Sequence, residues 1–533
     1  MRLAEREDRG TAAPWWRASV FYQVYPRSFR DGNGDGVGDL PGLIEGLDHL
    51  ERLGIDAIWL SPIYPSPMRD YGYDVVDHCA VDPVFGTLED VDLLFERAHA
   101  RGIRVLLDWV PNHTSDLHPW FLESRRARDS RTRDWYVWRD GRDGSPPNNW
   151  RSAFDGPAWT WDEPTGQWYL HLFLPEQPDL NWDNPEVRTA MAGTLRFWLD
   201  RGVDGFRVDV IHCIGKDPLL PDQPPQFGDV DRIGVHDHPG THALIREIRR
   251  VVDEYDERVL VGEVNLRDTI RIAAYYGTGD ELHLAFNFLS LDARWDERDW
   301  RSLVRTVGEG LGESAWPTWV LSNHDTPRHR TRYGGSERRA RAAAVLLLSL
   351  RGSPFVYAGE ELGLEDAAVA LTDRLDPGGR DACRAPIPWR AEPPHGWPAE
   401  PWLPFAPDPT GRSVETQEAQ SDSMLRFYRR LLEVRRGSNA LRDGALELLD
   451  APTGVLLFTR ASADDLRVVA VSFTQEPRAI GYEGWDVDVT SEPQPRSRFS
   501  GTLAADTAVI LSPPRRAGQT ARARTSGTRR ERA

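Results

Sequence analysis

A chain of 533 residues is too long for a single hydrophobic core and implies roughly three to four domains, or one large barrel with attachments. Its formal net charge of −18 argues against nucleic acid or an anionic membrane surface as a partner, and no apolar run approaches the roughly 20 residues that span a bilayer. Three cysteines, Cys79, Cys213 and Cys383, are too few and too scattered for a disulfide framework and lack metal-type spacing.

The first residues, Met1 to Glu7, are charged and lack the apolar core of a secretory signal, so a soluble cytoplasmic protein is expected. The basic residues are nearly all arginine, with Lys216 the sole lysine. The chain holds 21 Trp, 14 Tyr and 18 Phe, many of which a large barrel buries and some of which suit stacking on a flat ligand.

In chain order, Val20 to Tyr25 has the pattern of a strand. Asp31-Gly32-Asn33-Gly34-Asp35-Gly36-Val37-Gly38-Asp39 follows. Oxygen side chains at alternate positions and a glycine at the sixth match the first part of a calcium loop. Gly42 stands where that motif has a bidentate glutamate. A structural Ca²⁺ or Mg²⁺ is expected on Asp31, Asn33, Asp35, the Val37 carbonyl and Asp39; no organic cofactor is expected. Helical spacing covers 40–52, a strand 57–60, a helix 87–100 opening on a capping box of Thr87 and Asp90, and a strand 104–110. The alternation resumes with helix 186–200, strand 205–210, helix 242–255, strand 258–264 and helix 269–276. Strands 282–288 and 317–322, helix 337–349, strand 354–358 and helix 421–435 complete it.

Eight strands alternating mostly with helices predict an α/β fold, a (β/α)8 TIM barrel over 14–111 and 182–436. The Trp-, Pro- and Gly-rich stretch 112–181 is too long for a loop and predicts a small inserted domain after the third strand. A second insert, about 363–416, follows the eighth strand. From 437 to 513 the period changes to two, predicting a C-terminal antiparallel β-sandwich. The Arg-, Thr- and Gly-rich tail 514–533 is expected to be disordered.

Reactive groups of such barrels come from the C-terminal ends of strands. The third strand ends in Asp108-Trp109-Val110-Pro111-Asn112-His113. The fourth carries Arg207-Val208-Asp209, the fifth ends at Glu263, and the seventh leads into Ser322-Asn323-His324-Asp325. An Arg and an Asp facing the same way in an apolar strand form a structural ion pair, or a carboxylate held ionised for attack. Three acids converging on one mouth with an arginine favour the second reading. Like charges there raise at least one pKa, and a protonated acid beside an ionised one is the pair that glycoside hydrolysis uses.

These four stretches, in this order, resemble the sequence regions of the α-amylase family, glycoside hydrolase family 13, over nearly the whole chain. The resemblance implies that Asp209 is the nucleophile, Glu263 the general acid/base and Asp325 the stabiliser of sugar hydroxyls. Arg207 then keeps Asp209 charged and aimed, His113 and His324 bond the sugar bound at the cleavage point, and Asp108 orders the strand ends. A retaining mechanism requires the two reacting carboxyls to lie about 5–5.5 Å apart.

Asp70-Tyr71-Gly72-Tyr73 and Arg380-Asp381-Ala382-Cys383-Arg384 resemble the exo-acting α-glucosidases. There the matching Asp and Arg close the pocket floor; here that implies Asp70 with Arg384, and Tyr73 stacked on the sugar. Gln177-Pro178-Asp179-Leu180-Asn181 resembles the oligo-1,6-glucosidase branch, with Phe173 lining the same pocket. Val210 often accompanies α-1,6 preference, whereas His212, where that branch commonly has Asn, and Asn265 depart from it. The expected substrates are small α-glucosides. A transglucosidase or isomerase with the same catalytic residues, and remotely a non-catalytic relative, remain alternatives.

Overall fold

The computed structural model describes residues 13–223, 236–312, 315–492 and 497–514. The eight barrel strands form one parallel sheet. They are β1 Phe21–Val24, β2 Ala57–Leu60, β3 Arg104–Trp109, β4 Gly205–Val208, β5 Val259–Glu263, β6 Leu284–Phe286, β7 Thr318–Val320 and β8 Ser353–Tyr357. Their hydrogen-bonded order is β7-β8-β1-β2-β3-β4-β5-β6. Side-chain hydroxyls bridge the β6–β7 seam instead of a ladder: Thr318 Oγ1 accepts from Asn287 N at 2.9 Å and donates to the Ala285 carbonyl at 2.8 Å. Ser290 Oγ donates to the Val320 carbonyl at 2.8 Å.

Helices follow the apolar spacing. The helix Leu40–Leu53 starts on Asp39, whose side chain accepts from Gly42 N, and stops at Gly54, left-handed at φ 91°. The helix Leu88–His99 opens on the Thr87/Asp90 capping box, with both reciprocal bonds present. Besides several short helices, one long helix, Glu297–Leu311, falls outside the sequence expectations. Its buried face, Trp300, Val304, Val307 and Leu311, has helical spacing, but heavy charge and two glycines, Gly308 and Gly310, obscure it. Phe21, Trp59, Val261, Phe286 and Phe355 pack with their neighbours inside the barrel, while a larger cluster fills the space between strands and helices.

The insert leaves the barrel at Asn112 and returns at Leu180, whose N–H donates to the Asn112 carbonyl at 2.9 Å. A bridge pairs His113 with Asp179 across that neck. Inside it, Gln167–Leu170 pairs antiparallel with Trp138–Arg139 on one side and Trp159–Asp162 on the other. After the last barrel helix, Met424–Arg436, five antiparallel strands form a sheet with a two-stranded ribbon beside it. Alternation sorts its residues. Leu456, Phe458, Val469 and Val471 join the barrel core, whereas Val455, Leu457, Val468 and Ala470 pack under Phe499 and Leu503 in a second layer. The sequence expectation of a disordered tail lies, from 515 onward, outside the described residues.

The seam gives a direct test. Thr318→Val keeps the shape but removes both hydroxyl bonds and leaves the buried Asn287 N–H unpaired. It is expected to destabilise by about 1–3 kcal/mol, read as a lower urea midpoint at unchanged slope. An unchanged midpoint would contradict the seam's role.

Candidate active site

The register of the sheet builds the centre. Asp108 on β3 pairs with Arg207 on β4, and Arg207 pairs with Val261 on β5, so neighbouring strands bring an acid and a base to the same side. Asp209 follows immediately, its N–H held by the Trp109 carbonyl at 2.8 Å. Val210 then turns left-handed, φ 34° and ψ 42°, a conformation a β-branched residue seldom adopts. The turn aims Val210 N–H at Glu263 Oε2, 3.1 Å away.

Arg207 is nearly inaccessible and serves three carboxylates. Its Nη1 meets Asp209 Oδ1 at 2.7 Å and Asp108 Oδ1 at 2.9 Å, and its Nη2 donates to Glu263 Oε2. The sequence expectation gave Arg207 to Asp209 alone; the structure divides it, because three strands converge on it. Burial pushes the Asp209 carboxyl up, Arg207 opposes that, and Glu263 and Asp108 reinforce it. Burial likewise lifts Asp108 to about 6. One guanidinium thus faces three buried carboxylates, and the Asp209 carboxyl stays well above the usual carboxylate range.

A second arginine-carboxylate cluster faces the first across the cavity. Asp325 Oδ1 receives Arg380 Nη1 at 3.0 Å and Arg384 Nη2 at 3.3 Å. Burial opposes the charge of Asp325, but His324, Arg380, Arg384 and Arg207 outweigh it and hold the carboxyl below the usual range. Its side chain is 30% exposed, against 8% for Asp209 and 10% for Glu263, and so presents the most open carboxylate.

The expected Asp70–Arg384 pair is not formed. Asp70 Oδ1 binds Arg380 Nη2 at 2.5 Å, and Arg380 also holds Asp376 at 2.6 Å. Arg384 lies deeper. Its Nε donates to the His324 carbonyl at 2.8 Å and its Nη1 to Asp376 Oδ1 at 3.1 Å. The reason is the 3-10 turn Asp381–Arg384, which leaves Arg380 at the cavity and sends Arg384 toward β7. Nothing in the spacing of the two arginines distinguished them.

The remaining residues lie around the same cavity. Tyr73 stacks on His324 with ring centroids 5.5 Å apart and bonds its Nε2 at 2.6 Å, while also reaching Asp108 Oδ2 at 3.0 Å. Gln23 fixes the other ring nitrogen of His324 at 2.7 Å, a role the sequence did not signal. Gln177 Nε2 donates to Asp70 Oδ2 at 3.0 Å and lies 3.1 Å from His113 Nε2, and Phe173 packs on His113. Phe154, also unanticipated, lies 5.6 Å from the Arg380 guanidinium. Lys216 ties the barrel to the insert, bonding Asn112 Oδ1 at 2.8 Å and pairing with Asp179 at 2.9 Å.

Asp70, Tyr73, His113, Phe154, Phe173, Asp209, Val210, Glu263, Asp325 and Arg380 surround a cavity of about 150 Å³. Ligand pockets commonly measure about 300–1,000 Å³, so this one has room for a single ring.

The loop Asp31–Asp39 lies between β1 and the helix Leu40–Leu53. Asp31 accepts from the N–H groups of Gly34 at 2.6 Å and Gly36 at 2.9 Å, and Asp35 from Val37 at 2.8 Å. Asn33 Oδ1 accepts from Asp35 N at 2.9 Å. Asp39 also caps the helix, so its carboxylate is shared with Gly32, Asn33 and Gly42 N–H. The donor set is oxygen only and fits a hard cation.

A family model described as "Alpha amylase, catalytic domain" matches residues 23–444. The chain is 42% identical to a probable alpha-glucosidase of Rhizobium meliloti (strain 1021) over 85% of this chain and 88% of that one. It is 36% identical to an oligo-1,6-glucosidase of Parageobacillus thermoglucosidasius over 87% and 91%. Among solved structures, the alpha-glucosyl transfer enzyme XgtA is 40% identical with a TM-score of 0.87, covering 94% of this chain and all of that one. The trehalulose synthase MutB of Pseudomonas mesoacidophila MX-45 is 35% identical with a TM-score of 0.90 at the same coverage.

Buried histidines set a pH dependence. Burial holds His113, His324 and His329 down to about 3 and His78 to about 4, against about 6.5 in an unfolded chain. A lowered histidine contributes stability above its unfolded pKa and loses it as pH falls through the window from about 6.5 toward 3. The thermal unfolding midpoint is therefore expected to fall between about pH 7 and pH 4.5, with proton uptake on unfolding. A flat midpoint over that range would contradict these assignments.

Proposed function

The chain belongs to the α-amylase family of glycoside hydrolases, and on that premise we propose that it is a retaining, exo-acting α-glucosidase. Its substrates are short oligosaccharides or disaccharides with a terminal α-linked glucose, joined α-1,6 and/or α-1,4. The observation that carries the reading is Arg207 bonded to both Asp209 and Glu263, at a one-ring cavity whose wall is the Asp70–Arg380 pair. Two carboxyls on the two ends of one guanidinium suit the short separation of retaining enzymes better than the about 6.5–9.5 Å of inverting ones.

In the first half-reaction Asp209 attacks the anomeric carbon while Glu263 passes its proton to the leaving oxygen, giving a glucosyl ester and a free alcohol. Glu263, now ionised, takes a proton from water as that water displaces Asp209, which restores both carboxyls. Arg207 shares its charge between the two, so it favours the anion on whichever carries it at each stage. Asp325, ionised and open to the cavity, accepts sugar hydroxyls. His113 and His324 stay neutral and hold the cavity wall in place: His113 Nε2 accepts from Gln177 Nε2, and His324 Nε2–H donates to the Tyr73 hydroxyl.

A second reading differs only in the acceptor. The likeness to XgtA and to the trehalulose synthase MutB supports transfer of glucose to a sugar hydroxyl, or rearrangement of a disaccharide, in place of hydrolysis. The leading reading is carried by the motif Gln177–Asn181 and by the α-glucosidase relatives.

We also propose that Asp31, Asn33, Asp35, the Val37 carbonyl and Asp39 hold a Ca²⁺ or Mg²⁺ that stiffens the loop, with no part in the chemistry. Among the described residues no helix is long and apolar enough to cross a membrane. All three cysteines are free thiols, which suits a reducing compartment, and we place the enzyme in the cytoplasm.

Asp209→Asn is expected to lower release of glucose from an aryl α-glucoside by about 10⁴-fold or more at unchanged fold. Full activity in that variant would overturn the assignment. A panel of maltose, isomaltose, sucrose, trehalose and panose then separates the readings. Glucose as the main product supports hydrolysis, and new disaccharides supplant it under the transfer reading.

A further inference from the structure

His212, Cys213 and His236 lie outside the sugar cavity yet against its catalytic acid. One ligand atom from each falls within 4.8 Å of the others. His212 and Cys213 are each 1% exposed and sit on the 3-10 turn Ile211–Cys213, directly after Asp209 and Val210. His236 is half-buried and meets His212 edge to face, ring centroids 5.0 Å apart.

We propose that these three side chains form a binding site for a thiophilic divalent transition-metal ion, Zn²⁺ or one of its neighbours. Two imidazoles and a thiol are the nitrogen and sulfur donors such ions prefer over Ca²⁺ or Mg²⁺. The second shell is already built. His212 Nδ1 lies 3.1 Å from the Glu263 carbonyl, and a carbonyl can only accept, so Nδ1 carries the proton and Nε2 is left as a donor for the ion. At ion–ligand distances of about 2.0–2.3 Å the three atoms must draw in by roughly 1 Å. Cys213 binds as thiolate, its proton passing to solvent as the metal–sulfur bond forms. His236 marks the open side, where water completes the tetrahedron.

Such an ion acts on the turn that aims Val210 N–H at Glu263 Oε2. Contraction of the turn withdraws that contact, so occupancy lowers kcat with little change in KM, and a chelator restores it. The site is independent of the sugar linkage and of whether water or sugar is the acceptor.

The test is titration of the untagged full-length chain with Co²⁺ alone, followed by absorbance. One equivalent is expected to give the near-ultraviolet thiolate-to-cobalt charge-transfer band. Cys213→Ser should abolish the band, His236→Ala should weaken binding at least tenfold, and Asp31→Asn, in the acidic loop, should leave it intact. Absence of the band in the unaltered chain would overturn the proposal. So would a band of equal strength in Cys213→Ser, or Co²⁺ affinity unchanged in His236→Ala.

Discussion

The organisation of the catalytic end rests on one guanidinium shared among three buried carboxylates. Arg207 sits on β4 between Asp108 of β3 and Glu263 of β5, and reaches Asp209 two residues along its own strand end. Removing one partner of a buried pair typically destabilises by about 3–5 kcal/mol, because the other charge is left behind. Arg207 therefore ties three strands together as well as tuning the acids. It also leaves the cluster one positive charge against three acids, and the Asp209 carboxyl is held well above the usual carboxylate range as a result. Structure and chemistry impose the same requirement, that the guanidinium stay between Asp209 and Glu263.

A second cluster complements the first. Asp325 is held ionised by Arg380 and Arg384, and Arg380 spans to Asp70 at the cavity wall. The inserted domain locks onto this wall through Gln177, which touches both Asp70 and His113. Behind it, the only lysine of the chain joins Asn112 of the barrel to Asp179 of the insert. The size of the cavity is thus a property of the barrel–insert junction rather than of any one loop.

Much of this was legible in the residues. Eight strands and their order followed from apolar runs, and the acids stood at strand ends because a barrel presents its chemistry there. Asp209, Glu263, Asp325, His113 and His324 could be named for that reason. What was hidden depends on the direction of side chains in irregular segments. Arg380 and Arg384 lie four apart in one short turn, and only the turn's geometry decides which one reaches Asp70. Phe154 comes from a stretch of the insert with no period, so nothing marked it as a cavity wall. The division of Arg207 among three acids needed the strand register, which spacing along the chain does not supply. The helix Glu297–Leu311 carried a readable apolar spacing that its charges and glycines obscured.

The central claim is that Asp209 forms a covalent bond to glucose while Glu263 handles the proton. Intact-mass measurement after incubation with 5-fluoro-α-glucosyl fluoride, followed by peptide mapping, tests it most directly. The account predicts a single fluoroglucosyl adduct on the peptide containing Asp209, slow to turn over and absent from Asp209→Asn. Turnover with no adduct, or an adduct carried by Glu263 or Asp325, would contradict it.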